Sequence, residues 1–190
     1  MQGWYASDLG RYVLERELEW FDAVSSDLFG FNALQVGECD IDFLRANRMP
    51  QRYCAGIRAG CPRCLPEQLP FATQSLDLLV LPHVLEFADN PHQVLREAER
   101  VLRPEGRLLI AGFNPLSLWG LRRRLGNPEA EGPWHGRFIH LARLKDWLAL
   151  LGFELAGGRM ACYAPPLNRR RWLERFGCLE AAGDRWWALG

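Results

Sequence analysis

The sequence lacks the features that mark the more specialised classes of protein. Its 23 basic and 23 acidic residues cancel, so net charge gives no indication of a nucleic-acid or membrane partner. No apolar run approaches the roughly 18 residues that a membrane-spanning helix needs. There are no internal repeats, and an apolar fraction of 48% excludes a disordered chain. Residues 1–190 are therefore expected to form one ordinary domain, and the cytoplasm is its expected location.

Lysine is scarce, and the cysteines are too few for a disulfide-stapled protein. Lys145 is the only lysine among the 23 basic residues, a skew that we attribute to codon usage rather than to a ligand. Six cysteines are too few to staple a chain of 190 residues in the manner of a disulfide-rich mini-protein. Cys61 and Cys64 form a Cys-X-X-Cys pair, but Pro66 and Pro70 follow where a redox motif needs a helix. Without a second cysteine or histidine pair at ligand spacing, we predict no metal site.

Hydrophobic periodicity predicts alternating helices and strands in the first third of the chain. Ser7 is a suitable N-cap for an N-terminal helix within residues 1–30. A buried strand follows at residues 33–36, then a brief helix over 41–47 and a second strand over 53–57.

The middle of the chain has the clearest pattern. Residues 76–81 are almost continuously apolar, which is typical of a strand covered on both faces. Asn90 and Pro91 supply the cap and the first residue of a helix that must end before Pro104. A further buried strand over 107–113 completes a strand–helix–strand unit, which requires parallel strands and a right-handed crossover.

The remaining segments complete an α/β domain. We interpret residues 114–139 as an insertion and a candidate lid. A leucine stripe predicts a helix over 141–151, residues 153–163 have the pattern of a strand, and residues 168–190 that of a helical tail. The alternation of strands and helices predicts a Rossmann-like, doubly wound, mostly parallel sheet with helices on both faces.

Residues 65–113 carry a series of ordered motifs. They are Leu69-Pro-Phe71, Ser75-Leu-Asp77-Leu-Leu-Val80, His83-Val-Leu-Glu86-Phe87, Asn90-Pro91 and Arg100-Val-Leu-Arg-Pro-Glu-Gly106. In this order they resemble the class I S-adenosylmethionine-dependent methyltransferases, in particular the small bacterial type-11 group. The resemblance implies S-adenosylmethionine as cofactor and methyl transfer to an acceptor that the sequence does not identify. The final antiparallel strand of that family has no evident counterpart here.

The resemblance assigns cofactor binding to residues upstream, where the family pattern is degraded. The glycine-rich turn of the family corresponds to residues 35–41, in which only Gly37 is retained. The acidic residue that accepts from the ribose hydroxyls corresponds to Arg58, which has no acceptor. The residues expected to take over the lost cofactor contacts are Glu38, Asp40, Glu67 and Gln68, with Leu69 beside them.

Two candidates lie on the acceptor side. His83 follows the strand at 76–81, at the edge where ligands of open α/β sheets bind, and is a candidate base or orienting residue. Glu86 is expected to hydrogen-bond its imidazole; alternatively, the ring packs on the loop. Asn114 follows the next strand, in a region that commonly helps to form the acceptor pocket in the family; alternatively, this segment seats a helix.

Two functions remain open on the sequence. One is methyl transfer from S-adenosylmethionine, and the other is a non-catalytic, methyltransferase-like interaction module that has lost the cofactor. The arginine cluster at residues 169–171 is weak support for RNA binding in a neutral, arginine-rich chain, so we expect no nucleic-acid partner and no membrane. An open sheet edge predicts a homodimer.

Overall fold

The computed structural model describes residues 2–57, 59–126, 132–162 and 165–166. Its helices are α1 (Gln2–Tyr5), α2 (Asp8–Ser25), α3 (Pro91–Val101), α4 (Leu118–Leu125) and α5 (Leu141–Leu150), with a 3-10 turn at Pro133–His135. Its strands are β1 (Asn32–Val36), β2 (Gln51–Ala55), β3 (Leu76–Pro82) and β4 (Leu102–Ala111). The helical tail predicted over 168–190 lies outside the described residues.

The four strands form one parallel sheet in the order β2-β1-β3-β4. β1 is an interior strand, in which Leu34 is opposite Tyr53 of β2 and Leu79 of β3. Because all strands run in the same direction, their carboxyl ends meet at one edge of the sheet. The predicted doubly wound α/β architecture is confirmed.

Helices cover both faces of the sheet because alternate strand residues point to opposite sides. On one face, Leu34 and Leu79 are buried in a cluster with Leu95 of α3. On the other face, Leu78 is buried with Phe21 of α2. Each fully buried side chain of this size contributes about 1.5–3 kcal/mol to stability.

The capping predictions for two helices are confirmed. The Ser7 side chain accepts a hydrogen bond from the backbone N of Gly10 at 3.0 Å, at the start of α2. The Asn90 side chain accepts from the backbone N of Gln93 at 3.2 Å, at the start of α3. The two caps fix the first residues of α2 and α3. The starting point of each helix in turn sets which of its faces meets the sheet.

The helix predicted over 41–47 is wrong, since turns occupy that segment. The side chain of Gln35 forms hydrogen bonds with backbone groups that a helix would pair with one another. Its Oε1 accepts from the N of Phe43 at 2.9 Å, and its Nε2 donates to the O of Ile41 at 2.7 Å. A buried glutamine in β1 therefore replaces helical hydrogen bonding in the segment that follows.

The strand predicted over 107–113 begins earlier than expected, at Leu102. Leu76 pairs with Leu102 and Leu78 with Arg107, so the intervening residues of β4 are taken up by a register shift. The turn chemistry at residues 104–106 thus produces an irregularity within the strand instead of a loop before it.

The strand predicted over 153–163 is wrong for Phe153–Cys162, and Tyr163 lies outside the described residues. Every side chain from Glu154 to Arg159 is exposed. Two adjacent glycines, Gly157 and Gly158, weaken the strand preference further. Phe153 packs against the core, but residues 154–159 have no buried side chain that would hold them in the sheet.

None of the described helices combines the length and the apolar composition needed to cross a membrane.

Candidate functional site

A buried charged group lies where β3 ends. His83 follows the last residue of β3 and has a φ of +53°, a left-handed conformation in which histidine is enriched. Its Nε2 lies 2.5 Å from Oε1 of Glu17 on α2, and its Nδ1 lies 3.1 Å from Oε1 of Glu86. The imidazole is thus held between two carboxylates that come from distant parts of the chain.

The two carboxylates decide the charge of His83. Burial by itself lowers the pKa, because it penalises the charged ring, but the charges and hydrogen bonds of Glu17 and Glu86 outweigh it and raise the pKa of His83 to about 10. His83 is therefore protonated at neutral pH, and both ring nitrogens donate. This charge state favours the orienting role predicted for His83 over the role of base.

Glu86 also connects the charged group to the next strand end. Its Oε1 accepts from the backbone N of Phe113 at 2.8 Å. The predicted hydrogen bond between His83 and Glu86 is confirmed, although residues 85–87 form a turn and not a helix. The second oxygens of Glu17 and Glu86 are buried and have no hydrogen-bond partner among the described residues. Each is an acceptor without a donor, which is uncommon for a buried carboxylate.

Aromatic side chains enclose the charged group. Phe113 stacks on His83 with ring centroids 4.4 Å apart, and on Trp119 at 5.5 Å. Trp4 of α1 meets Phe113 and Trp119 edge-on, each at 6.2 Å. Trp134 stacks on Trp119 at 5.8 Å. Side chains of α1 and of the predicted insertion therefore pack together over the carboxyl edge of the sheet.

Tyr5 links the charged group to the turn that follows β1. Burial and then the charges of Glu17, Glu86 and Glu38 raise the pKa of Tyr5 well above its ordinary value. The three carboxylates therefore act on one buried phenol. Because Glu38 follows β1 and Glu86 follows β3, residues after two neighbouring strands contribute to the electrostatics of Tyr5.

Gly37 opens the turn after β1 with a φ of +114°, which favours glycine. Its backbone N donates to the O of Ala55 at the end of β2, at 2.8 Å. The O of Glu38 accepts from Nε2 of Gln35 at 2.6 Å. The turn predicted at Gly37 is confirmed, and it is anchored both to β2 and to a side chain of β1.

A disulfide between Cys39 and Cys54 adds a covalent link between this turn and β2. The sequence alone does not pair these cysteines, because residues 15 positions apart with different local patterns give no signal. No helix lies between β1 and β2 in this part of the described chain. The turn therefore lacks the helix N-terminus that in the family favours the methionine carboxylate.

The other residues predicted to contact the cofactor are Asp40, Arg58, Glu67 and Gln68. Asp40 and Gln68 are exposed, and Arg58 lies outside the described residues. Oε1 of Glu67 accepts from the backbone N of Asn90 at 3.3 Å, next to the start of α3. Their roles in binding stay predictions.

Leu69 is buried and its backbone is fixed by an ion pair on α3. The N of Leu69 donates to Oε2 of Glu97, and its O accepts from Nη2 of Arg100, both at 2.9 Å. Arg100 also pairs with Glu97 through Nη2 at 2.7 Å. The motif that begins at Leu69 is thus held against α3.

The Asn114 side chain serves a local turn. Its Oδ1 accepts from the backbone N of Leu116 at 2.9 Å, two residues before α4 begins. Its predicted contact with an acceptor stays a prediction, and the observed contact agrees with the alternative in which this segment seats a helix.

Glu17 is the site residue that the sequence analysis missed. It lies on α2 four residues after Val13 and four before Phe21, both of which are fully buried. This spacing places Glu17 on the buried face of the helix. A carboxylate within an apolar stripe of a helix needs a buried partner. This feature of the sequence could have identified Glu17 as a site residue.

No group of three or more His, Cys, Asp or Glu side chains is arranged to hold a metal ion in the part of the chain that the structure describes.

Comparisons of the sequence relate much of the chain to known proteins. Residues 40–110 match the family described as a methyltransferase domain. The chain is 37% identical over 152 residues to the uncharacterised protein YafS of Escherichia coli, covering 77% of this chain and 61% of that protein. It is 34% identical over 162 residues to the malonyl-[acyl-carrier protein] O-methyltransferase of Laribacter hongkongensis, covering 77% of this chain and 53% of that protein. The chain thus spans little more than half the length of these curated relatives.

Solved structures share the fold. An S-adenosylmethionine-dependent methyltransferase from Thermotoga maritima has a TM-score of 0.59 and 20% identity, with 81% of this chain and 76% of that chain covered. The YcgJ protein of Bacillus subtilis has a TM-score of 0.55 and 17% identity, with 72% and 68% covered. At these identities the likeness concerns the fold alone. Residues 40–110 thus match a methyltransferase-domain family, and the chain shares its fold with a solved S-adenosylmethionine-dependent methyltransferase.

Proposed function

We propose that this domain transfers the methyl group of S-adenosylmethionine to an acceptor bound at the carboxyl edge of the sheet. The observation that carries the proposal is the buried group of Glu17, His83 and Glu86 at the end of β3. When bound, the cofactor supplies a methyl group activated by a sulfonium. The task left to the protein is to align the acceptor and to exclude water.

The residues at this edge suit the cationic part of the cofactor. The carboxylates of Glu17, Glu38 and Glu86 outnumber the single positive charge of His83, and the cofactor has an ammonium and a sulfonium. Oε2 of Glu17 and Oε2 of Glu86 are buried and have no hydrogen-bond partner among the described residues, which also favours a cationic ligand. Gly37 has no side chain to obstruct the approach of a ligand to the turn. Gly37 and Glu38 would hold the amino-acid part of the cofactor.

Glu17 and Glu86 are suited to handle the proton of the acceptor. An N–H or O–H nucleophile must lose a proton when it is methylated, and a carboxylate oxygen that accepts no hydrogen bond, such as the buried Oε2 of Glu17 or Glu86, can take up that proton. His83 donates to the other oxygen of each carboxylate and fixes its orientation. The proposal thus assigns the base to a carboxylate and the positioning to His83.

The test is calorimetric titration of the purified chain with S-adenosylmethionine and S-adenosylhomocysteine. Binding in the micromolar range, about −8 kcal/mol, supports the proposal. Glu38→Gln should weaken binding at least fivefold, and Glu154→Gln, which changes an exposed carboxylate far along the chain, should not. Absence of heat and of thermal stabilisation at millimolar ligand, with the protein folded, would overturn the proposal.

One observation favours a second candidate, a methyltransferase-like interaction module without cofactor. The turn after β1 is tied to β2 by the disulfide, and no helix lies between β1 and β2 among the described elements. This candidate predicts a folded protein whose melting temperature is the same with and without S-adenosylhomocysteine. The titration above therefore separates the two functions.

We also propose that the chain forms a homodimer, in which the partner is a second copy of the chain. Within the described sheet, β4 pairs only with β3, which leaves its other edge open. Light scattering that gives twice the chain mass of 21.8 kDa would support association, and the mass of one chain would exclude it.

A further inference from the structure

Four cysteines lie around the carboxyl ends of β1 and β2. Cys39 and Cys54 are joined by a disulfide, and Cys61 and Cys64 are free thiols. The backbone N of Cys61 donates to the O of Cys54 at 2.9 Å, and the two residues form an isolated antiparallel bridge. A Cβ on Gly60 would lie only 2.7 Å from Sγ of Cys39, so the backbone next to Cys61 touches the disulfide.

This arrangement brings Cys61 within reach of the disulfide. Residues paired across an antiparallel bridge have side chains on the same face, with Cβ atoms about 4.5–5.5 Å apart. That separation is close to the separation of cysteines that form a disulfide. Cys61 is exposed, so its thiol is accessible to solvent. Cys64 is half-buried, and burial raises the pKa of its thiol, which makes Cys61 the better nucleophile.

We propose that Cys61 exchanges with the Cys39–Cys54 disulfide. The Cys61 thiol gives its proton to solvent, and the thiolate attacks Sγ of Cys54. A bond forms between Cys61 and Cys54, the bond between Cys54 and Cys39 breaks, and Cys39 leaves as a thiolate that takes up a proton. One thiol and one disulfide stand on each side of the reaction, so no oxidant or reductant is consumed.

The exchange frees the turn after β1 from its covalent link to β2. Gln35 still binds the O atoms of Glu38 and Ile41, so the turn keeps its anchors on β1. The released turn is the one that would hold the amino-acid part of S-adenosylmethionine, and this consequence rests on the proposed function. We expect the released turn to adjust to the cofactor more readily than the tethered one.

Peptide mapping tests the exchange directly. Trypsin cleaves after Arg45, Arg52, Arg58 and Arg63, so each of the four cysteines falls in its own peptide. The full chain is incubated at pH 8.5, quenched by acid, alkylated and digested without reduction. We expect both a Cys39–Cys54 and a Cys54–Cys61 peptide pair, the second increasing with time of incubation.

Three variants oxidised in a glutathione buffer assign the partners, with folding checked by circular dichroism. Cys39→Ser should yield the Cys54–Cys61 pair and Cys61→Ser only the Cys39–Cys54 pair, while Cys64→Ser, the matched control, should behave as the unmodified chain does. A Cys39→Ser protein that is folded but holds Cys54 as a glutathione mixed disulfide would overturn the proposal. Native mass spectrometry that finds the four thiols around one zinc ion would overturn it as well.

The consequence for the cofactor has a separate readout. S-adenosylhomocysteine should bind at least threefold more tightly to oxidised Cys39→Ser, in which the turn is released, than to Cys61→Ser, in which it is tethered. Equal affinities would contradict the effect on the turn. If no form binds the ligand, the proposed function fails, whereas the exchange is still decided by the peptide map.

Discussion

Glu17 and His83 are 66 positions apart in the chain, yet Oε1 of the glutamate lies 2.5 Å from Nε2 of the histidine. The contact joins α2 to the carboxyl end of β3. Since His83 also contacts Glu86, a side chain of α2 helps to set the charge of the residue that follows β3. The packing of α2 against the sheet therefore also determines the electrostatics of the site.

His83 gives the stability of the fold a pH dependence of defined sign. Its pKa is raised from 6.5 in the unfolded chain to about 10 in the folded state. Between these values the folded protein holds a proton that the unfolded chain has lost. The stabilisation is complete below pH 6.5 and is lost as the pH rises to about 10, at up to about 1.4 kcal/mol per pH unit.

Urea unfolding at pH 6.5, 8.0 and 9.5 measures this slope. His83→Asn should flatten the profile, because asparagine tolerates the left-handed backbone at this position but carries no proton in this range. His140→Asn changes an exposed histidine and should keep the slope of the unmodified protein. A His83→Asn profile as steep as that of the unmodified chain would contradict the assignment.

Glu17→Gln should lower the pKa of His83, because it removes one of the two charges that stabilise the imidazolium. Glu86→Gln should do the same, and the double substitution should lower it further. Titration of the imidazole signals by NMR gives these values. Glu19→Gln is the matched control, since Glu19 is on the same helix but is exposed and pairs with Arg16.

Gln35→Leu should destabilise the fold by at least about 2 kcal/mol, since the leucine leaves two carbonyls and one N–H without the partner that Gln35 provides. Gln35→Glu keeps the acceptor for the N of Phe43 but loses both donations, so it should also destabilise. The free energy of unfolding in urea measures both effects. Wild-type stability in Gln35→Leu would mean that the turn does not depend on this side chain.

Gly37→Ala and Gly152→Ala form a matched pair, because both glycines have positive φ, +114° and +80°. An alanine at either position should cost about 1 kcal/mol or more in backbone strain. Only at residue 37 does the added Cβ approach another side chain, Cγ2 of Val84 at 3.1 Å. Gly37→Ala should therefore be the less stable variant and, in titration, the only one of the two with weakened binding of S-adenosylhomocysteine.

The sequence predicted the part of the fold in which local signals are strong. The apolar run at 76–81 and the cap at Asn90 each determine an element within a few residues, and both predictions hold. The contact between Glu17 and His83 was out of reach, because it depends on how α2 packs across the sheet, which no local pattern encodes. Periodicity shows that Glu17 lies on the buried face of α2 but does not name its partner.

The turn after β1 illustrates the opposite case, in which a local pattern gave the wrong structure. Residues 41–47 have helical spacing, but Gln35 competes for their backbone groups from the preceding strand. The disulfide of Cys39 adds a second constraint that depends on the pairing of β1 with β2. Tertiary contacts therefore overrode a weak helical preference.

The strand order has a consequence for how the chain folds. Leu34 of β1 pairs with Leu79, which the ribosome adds 45 residues later, and β2 does not pair with β3 although they are consecutive. Closing so long a loop costs entropy before the pairing is gained, which predicts folding in milliseconds or longer and not in microseconds. During synthesis one edge of β1 therefore stays unpaired until β3 has been made. In that interval this edge is open to pairing with another nascent chain.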